Sequence, residues 1–556
     1  MKSVQRQDHS KAAKQCKLIL AREPNNVDAL NLLGGIHLMS ENEALAVDPL
    51  LRAHSLRPGD AAIQCNLGAA LAGVKRFEEA ETHFMGALSR TPGDMDIVVN
   101  LGRARLELGK NKSALESFSA VLAVARDNVD ILVDAARAAF ADGDAASAQL
   151  YLKRALTKEP QNPRAHKENI RICSETGQYA EGLSSVATAL AHDENDPALH
   201  VDKALILSRL ERYDDALTSF DDGLARDPDS ADARFGRALV NLMCGNFAAG
   251  WQDYLARQSV RDADAPNSMA AAGRSYHRNT LPTDLSGKRV LVVADQGLGD
   301  ELFFLRFAGH LRERGAHVTY RSDERLTPML RRAKIVDEIH AGPEQGEDYD
   351  FRVSLGDLPF LVGAGDNDVL PPSVALSALP DRVAEIGKQL AAFGGGPYIG
   401  VTWRAGSIGD KRLLHKEVPM EGFARAVAGR SGSIVILQRN PGDGEVLAFS
   451  RAVGCPVLDL SGLNSDLEAM LALCSLLDVY IGVSNTNTHL RAACGRDSHV
   501  IVPYPAEFRW MSSGSESPWF PGSKLFRQMP DGDWLPATSQ LAGESQAFSP
   551  AAKAAS

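Results

Sequence analysis

The chain has 556 residues, enough for three or four packing units of about 150 residues each. Hydrophobic residues make up 44% of it and charged residues 24%, which excludes disorder throughout. The net charge of −11 argues against general affinity for nucleic acid, although a local basic pocket is compatible with it.

A 34-residue period runs through the first half of the chain. Small residues recur ten and twenty-two positions after a proline, as Gly34 and Ala46 do after Pro24. The proline ends the second helix of a unit, and the small residues let paired helices approach closely. The proline recurs at Pro24, Pro58, Pro92, Pro160 and Pro228. Units of this length and pattern resemble the tetratricopeptide repeat, which implies an all-α solenoid over residues 1–256.

One position on the first helix of each unit is expected to line the concave face of this solenoid. From the second to the sixth unit it is occupied by Asn66, Asn100, Asp134, Glu168 and Asp202. Asparagine both donates and accepts, so an asparagine ladder can bind an extended peptide of almost any sequence. The ladder resembles that of O-GlcNAc transferase, which holds acceptor polypeptide in this way. We predict an acceptor-peptide groove here, whose acidic continuation favours basic residues or backbone amides, with an unoccupied solvated face as the alternative.

The second half of the chain alternates strands and helices. Residues 257–287 lose the period and are predicted to be a connector, and residues 537–556 a disordered tail. Between them, buried strands such as RVLVVA and VYIGVS alternate with amphipathic helices, which predicts parallel sheets. We therefore expect a Rossmann-like lobe over 288–395 and a nucleotide-sugar-binding lobe over 396–536, facing a cleft.

A glycine-rich turn follows the first predicted strand. Gly297 and Gly299 permit a tight turn whose exposed amides favour anions, and Asp300 opens the next helix. The third glycine of GxGxxG is absent, so the turn is a poor dinucleotide fingerprint. Two interpretations of Asp300 are open: it caps the helix, or it is a general base that takes a proton from an acceptor hydroxyl.

Several segments of residues 250–535 resemble bacterial tetratricopeptide-repeat proteins with a C-terminal glycosyltransferase region, a group that includes flagellin glycosyltransferases. The segments are GWQDYLAR, DQGLGDELFFLRF, WRAG, LLDVYIGVSNTNTHLRAACG and PAEFRW. The region is more distantly similar to the heptosyltransferases, which are GT-B enzymes with two Rossmann-like lobes. The resemblance implies Asp300 as the base, Lys416 as a ligand of donor phosphate, and the segment ending at His489 as the holder of donor sugar and phosphates.

The donor segment departs from the heptosyltransferase pattern Asp-Thr-Gly-x-x-His. Ser484, Asn485 and Thr486 occupy its first three positions, and His489 the last. Loss of the aspartate, together with Arg404 in the WRAG turn, makes the pocket more tolerant of an anionic sugar. We therefore predict a CMP-linked nonulosonic acid, such as pseudaminic or legionaminic acid, as donor, with a UDP-linked sugar as the alternative.

Structural roles for the same residues stay open at this point. The donor segment can be a helix N-cap with His489 packed in the core, Arg404 a salt-bridge partner and Lys416 a solvated lysine. The aromatic cluster of Phe508, Trp510, Trp519 and Phe520 indicates packing rather than a platform for base stacking. The DxD-like runs at 262–264 and 531–533 follow no nucleotide-binding strand, so no metal site is predicted.

The resemblance thus predicts a metal-independent GT-B glycosyltransferase that modifies Ser or Thr of a polypeptide, flagellin above all. No resident cofactor is expected, and the partners are the acceptor protein and the nucleotide sugar, not nucleic acid. No apolar run reaches the roughly 18 to 20 residues that cross a bilayer, and the first residues lack a secretory core, so we expect a cytoplasmic protein. The alternatives are a non-catalytic repeat adaptor and a saccharide-modifying transferase that uses its repeats only for assembly.

Overall fold

The computed structural model describes residues 2–257, 277, 279–342, 348–365, 370–405 and 416–544. It forms two compact units, Met1–Leu199 and His200–Ser556. Within the described ranges, no helix combines the length and the apolar composition that a membrane crossing requires.

The described part of the first unit is helical. An opening helix precedes five helix pairs, each pair forming one repeat. The helices are α1 (Lys2–Arg22), α2 (Val27–Met39), α3 (Glu43–Leu56), α4 (Ala61–Gly73), α5 (Phe77–Leu88), α6 (Met95–Glu107), α7 (Asn111–Val124), α8 (Val129–Ala141), α9 (Ala145–Lys158), α10 (Pro163–Thr176) and α11 (Tyr179–His192).

The 34-residue period also places the helix starts. The first helix of each repeat begins after a residue whose side chain accepts backbone N–H groups of the first turn, a contact worth about 1 kcal/mol. These caps are Asn26, Asp60, Asp94, Asn128 and Asn162. The periodic small residues make room inside each pair, since a Cβ on Gly68 would lie 2.7 Å from Phe84 Cε1. The first helices of neighbouring repeats also contact one another and form the inner layer.

The second unit begins with two further helix pairs and continues into two parallel sheets. These helices are α12 (Pro197–Arg209), whose first three residues belong to the first unit, α13 (Tyr213–Arg226), α14 (Ala231–Cys244) and α15 (Phe247–Tyr254). The parallel sheets expected from the strand–helix alternation are present.

The first sheet, with its helices, is called the first lobe below. Its strands are parallel in the order β3-β2-β1-β4. They are β1 (Arg289–Val293), β2 (His317–Ser322), β3 (Glu338–Ala341) and β4 (Phe351–Ser354). The helices are α16 (Leu298–Phe304), α17 (Gly309–Glu313), α18 (Thr327–Ala333) and α19 (Leu358–Leu361).

The second sheet, with its helices, is called the second lobe. Its strands are parallel in the order β10-β9-β8-β5-β6-β7. They are β5 (Tyr398–Thr402), β6 (Ser433–Ile436), β7 (Leu458–Asp459), β8 (Val479–Val483), β9 (His499–Val502) and β10 (Lys524–Arg527). The helices are α20 (Pro380–Phe393), α21 (Met420–Val427), α22 (Glu445–Val453), α23 (Leu467–Leu476), α24 (Thr486–Ala493) and α25 (Leu535–Gly543).

Three boundaries differ from the sequence prediction. The tail predicted to be disordered from residue 537 begins as α25, because Ala537 and Leu541 are buried in the core of the second lobe. Helix α20 falls within the range predicted for the first lobe, yet it packs on α23 of the second. The predicted connector begins with Arg257, which is buried and lies 2.5 Å from Asp295. Residues 258–276 and 545–556 lie outside the described residues.

Aromatic packing joins the last helix pair to the first lobe. Trp251 is 2% exposed, and its ring meets those of Phe304, Phe307 and Trp519 at centroid distances of 5.9–6.1 Å. One hydrophobic core runs from these rings through both lobes. Packing is therefore the role of the aromatic residues that the sequence analysis singled out.

Candidate functional site

The glycine-rich turn of the first lobe lies directly against the N-terminus of α24 in the second. A Cβ on Gly299 would lie 3.1 Å from His489 Cδ2 and 3.9 Å from the Cα of Thr486. The contact is possible because glycine has no side chain at this point. The structure therefore brings the turn and the predicted donor segment together, but as a packed contact rather than across the open cleft that the sequence predicted.

Asp300 faces the second lobe and does not cap its own helix. Gly297 is the N-cap of α16, and Asp300 lies in the first turn. Asp300 Oδ1 accepts a hydrogen bond from Nη2 of Arg509, which lies in the segment after β9. Asp300 is 28% exposed and Arg509 is 9% exposed, measured on their side chains. The capping interpretation of Asp300 is therefore wrong, and its carboxylate instead forms an ion pair between the lobes.

Lys416 is paired in the same place rather than solvated. Its Nζ donates to Glu507 Oε1, and that same oxygen lies 3.7 Å from Arg509 Nη1. Burial alone would raise the pKa of Glu507, but Lys416 and Arg509, helped by a hydrogen bond from Ser484, lower it to about 2. Glu507 is therefore an ionised carboxylate that links Lys416 and Ser484 to Arg509. Residues 406–415, just before Lys416, lie outside the described residues.

His489 is packed at the contact between the lobes. It is 4% exposed, and its ring lies 5.4 Å from that of Phe520 and 6.3 Å from that of Phe303. Burial, followed by the charges of Arg509 and Arg306, lowers the pKa of His489 well below its ordinary value. The imidazole is therefore neutral at physiological pH, as the packed-core alternative requires.

Asn485 is the N-cap of α24. Its Oδ1 accepts the backbone N–H groups of Asn487 at 2.9 Å and Thr488 at 3.2 Å, and its Nδ2 donates to Thr402 Oγ1 at 3.0 Å. Ser484 beside it is buried, whereas Thr486 is half-buried at the first turn of the helix. The capping alternative is therefore confirmed for Asn485, and the predicted donor role of the segment depends on Ser484, Thr486 and the helix amides.

Arg404 lies in a buried salt bridge. Its guanidinium reaches the two carboxylate oxygens of Glu445 at 2.7 and 3.1 Å, and its side chain is 6% exposed. The backbone N–H of Arg404 also donates to Gln438 Oε1 at 3.0 Å. The salt-bridge alternative thus describes this conformation, and the donor-binding role of Arg404 stays a prediction.

The predicted peptide groove lies on the inner helices, but its acidic positions in the first unit are already neutralised. Asp134 is fully buried and accepts from Arg103 Nε at 2.8 Å and from Arg164. Glu168 accepts from Arg171 in the same way. The expectation that these carboxylates would be open to basic residues of a peptide is therefore wrong, because arginines of the inner helices reach them first.

The remaining groove positions are uncharged or lie in the second unit. Asn66 Nδ2 donates to Asn31 Oδ1 at 2.9 Å, which leaves its own amide oxygen for other donors. Asn100 forms a side-chain hydrogen bond with Cys65. Asp202 is half-buried on α12. The asparagine part of the ladder therefore stays the predicted peptide contact.

Sequence reasoning did not identify Arg509 and Glu507 as site residues. Both lie in the PAEFRW segment, where the sequence indicated a family resemblance and aromatic packing but gave no role to the charged residues. The available signal was their position, since charged residues that directly follow a buried parallel strand lie at the edge where ligands bind. No group of three or more His, Cys, Asp and Glu side chains suited to a metal occurs in the part of the chain that the structure describes.

Comparison with known proteins agrees with the repeat architecture. Tetratricopeptide-repeat models match residues 65–130, 105–167, 139–206 and 201–265. Protein FlbA of Caulobacter vibrioides is 27% identical over 341 residues, which is 56% of this chain and 55% of FlbA. The chain thus spans about half the length of this curated relative.

Solved structures with similar folds include two repeat proteins. A tetratricopeptide repeat protein from Parabacteroides merdae is 16% identical with a TM-score of 0.36, covering 41% of this chain and 90% of that one. A thermophilic repeat protein from Thermus thermophilus is 24% identical with a TM-score of 0.29, covering 33% of this chain and all of that one. At these scores neither likeness carries a functional argument. The chain thus contains tetratricopeptide repeats and is similar, over about half of its length, to Protein FlbA.

Proposed function

We propose that the protein is a glycosyltransferase that moves a sugar from a nucleotide donor to a Ser or Thr hydroxyl of a polypeptide. One observation carries the proposal. The resemblance to heptosyltransferases assigns the base to Asp300 in the first lobe and a phosphate ligand to Lys416 in the second. In the structure these two side chains belong to one connected network, Asp300–Arg509–Glu507–Lys416.

In this mechanism Asp300 accepts the proton of the acceptor hydroxyl as that oxygen attacks the sugar. The nucleotide leaves with negative charge on its phosphate, which Lys416 and the N-terminal amides of α24 stabilise. Because Gly299 packs against His489, the lobes part at this contact to admit the donor. In this proposal the two lobes pair as they do in GT-B enzymes.

The donor we propose is a CMP-linked nonulosonic acid, with a UDP-linked sugar as the alternative. Ser484 replaces the family's aspartate, but its hydroxyl bonds to ionised Glu507, which returns a carboxylate to this position. Lys416 and Arg509 face two carboxylates in this network, Glu507 and Asp300, so the electrostatic argument for an anionic sugar depends on Lys416 exchanging Glu507 for the donor.

The acceptor we propose is flagellin, bound as an extended segment along the inner helices of the repeats. The support for flagellin is the family resemblance of the C-terminal segments, and the support for a peptide is the asparagine pair Asn66 and Asn100 on the inner layer. Sugar transfer would take place in the cytoplasm, before the acceptor is exported.

A donor panel tests the proposal. Purified protein is incubated with unmodified flagellin and CMP-pseudaminic acid, CMP-legionaminic acid or UDP-linked sugars, and the acceptor mass is measured. We expect a mass increase with one donor, and Asp300→Asn to lower the rate by about 100-fold or more. Asp381→Asn, which removes an exposed carboxylate at the start of α20, is the matched control. No mass increase with any donor, or full activity of Asp300→Asn, would refute the proposal.

The closed contact at Gly299 favours a second candidate, a non-catalytic repeat adaptor with a transferase-like fold. An adaptor would keep its partner binding and its cellular phenotype in the Asp300→Asn strain. The enzyme would keep partner binding but lose modification of the acceptor. Complementation of a deletion strain with this variant, followed by mass spectrometry of its flagellins, separates the two.

A further inference from the structure

We propose that Arg509 is a positioning residue that orients the carboxylate of Asp300 for proton transfer, an inference that rests on the proposed function. The two side chains come from different lobes and meet at the edge where α16 begins. Asp300 Oδ1 accepts from Arg509 Nη2, whereas no donor among the described residues bonds Oδ2. One oxygen is thus held and the other is left for an acceptor hydroxyl.

Arg509 can act as a positioner because its own guanidinium is held on several sides. It lies over the rings of Phe303 and Phe508, with its central carbon 4.8 and 5.2 Å from their centroids. Its Nη1 lies 3.7 Å from Glu507 Oε1, so the ionised Glu507 holds the opposite edge. A buried guanidinium fixed in this way presents its remaining donors in a set direction, which a flexible surface arginine does not.

Glu507 extends the arrangement to the proposed donor side. The oxygen that faces Arg509 also accepts from Lys416, and the other oxygen, Oε2, accepts from Trp510 Nε1 at 3.2 Å. A phosphate that recruits Lys416 would therefore draw it from Glu507 and strengthen the hold of Glu507 on Arg509. Arg509 itself keeps its contact with Asp300, so its role lies on the acceptor side.

A different result is expected if Arg509 has only a structural role, as an ion pair that holds the two lobes together. The chain offers a matched control, because Arg332 on α18 pairs with Glu468 on α23 through two contacts of 2.5 and 2.6 Å. This second pair also joins the lobes and involves none of the proposed site residues. If Arg509 acts only as a tie, Arg332→Met and Arg509→Met should have similar effects.

The test measures steady-state sugar transfer by the full chain, with kcat and donor KM determined separately. We expect Arg509→Met to lower kcat by about 100-fold with donor KM within about 3-fold, Arg509→Lys to restore part of the rate, and Arg332→Met to stay within about 2-fold. Asp300→Asn combined with Arg509→Met should be no slower than Asp300→Asn alone, because the two residues act as a unit. Additive losses, a loss confined to donor KM, or an effect no larger than that of Arg332→Met would overturn the inference.

A second readout needs no activity. Carbodiimide coupling of glycine methyl ester to Asp300, followed by peptide mass spectrometry, should increase several-fold in Arg509→Met, because the guanidinium no longer covers the carboxylate. Unchanged labelling would overturn the inference even in an active enzyme. A wild-type protein that transfers no sugar would refute both the proposed function and this inference. An active wild type whose Arg509→Met variant has an unchanged kcat would refute this inference alone.

Discussion

We expect Glu301, next to Asp300 in α16, to make the stability of the second unit depend on pH. Its side chain is buried at 3% exposure, where its Oε2 accepts from the Tyr320 hydroxyl at 2.7 Å and the Asp323 N–H at 3.3 Å. Burial raises the pKa of Glu301 from 4.5 to about 7, because these two hydrogen bonds offset only part of the lost hydration. No positive side chain is hydrogen-bonded to it among the described residues.

The sign and size of the effect follow from this pKa. Between pH 4.5 and about 7 the folded protein holds a proton that the unfolded chain has released, so the free energy of unfolding falls as the pH rises. At about 1.4 kcal/mol for each pH unit, the loss reaches about 3 kcal/mol above pH 7. Glu301→Gln, which stays neutral at every pH, should not suffer this loss.

Urea unfolding at pH 5, 6, 7 and 8 measures the difference between wild type and variant. All five tryptophans lie between residues 251 and 534, so intrinsic fluorescence reports on the second unit. We expect Glu301→Gln to gain about 2.5 kcal/mol relative to wild type between pH 5 and pH 8, because the first part of the loss is already complete at pH 5. Glu324→Gln, at an exposed position two residues after Ser322 at the end of β2, carries the same change of charge and is the control. A flat or falling difference for Glu301→Gln would refute the reasoning.

Two further predictions concern the first unit. Gly34→Ala should destabilise it by about 1–3 kcal/mol in thermal unfolding followed by circular dichroism, since the new Cβ would lie 2.6 Å from the buried Leu50 Cδ2. Gly35→Ala in the same helix meets nothing within 4 Å and should be neutral or stabilising by up to about 1 kcal/mol; equal effects would contradict this account. Asp134→Ala should cost about 2 kcal/mol because it leaves its two arginine partners without a buried acceptor. Asp130→Ala, at a side chain that is 69% exposed, should cost less than about 1 kcal/mol, and a reversed order would argue against the buried ion pair.

The repeats were predictable because everything that specifies them is local. Gly68 and Phe84 are sixteen positions apart, and each repeat closes its helix pair within one period. The alternation of apolar strands and amphipathic helices likewise indicated the parallel sheets, since each strand carries its own burial pattern. Short elements escaped detection: Glu338–Ala341 and Lys524–Arg527 each have only four residues, and Leu458–Asp459 has two. Such segments become strands through their neighbours rather than through their own pattern.

The network of the candidate site could not be predicted, because its parts come from three distant segments. Asp300 was selected on its turn and on resemblance, but its partner Arg509 is 209 positions away and in the other lobe. The sequence around a charged residue does not indicate which oppositely charged residue will be its partner in the folded protein. Asp134 shows the same limit within the repeats. Its position on the first helix was predicted, but its ion pairs with Arg103 and Arg164, which give it a structural role, were not.

Gly299 shows how a correct local prediction can still miss the role of a residue. The sequence indicated a tight turn with amides open to anions, so the glycine was explained by the backbone conformations that it permits. In the structure its backbone is an ordinary first turn of α16, and what matters is the missing side chain, since a Cβ would lie 3.1 Å from His489 Cδ2. The same absence that lets the lobes close here also leaves no side chain to hold a ligand. Any donor at this edge must therefore be bound by groups around Gly299, and we expect these to include the charged network of Asp300, Arg509, Glu507 and Lys416.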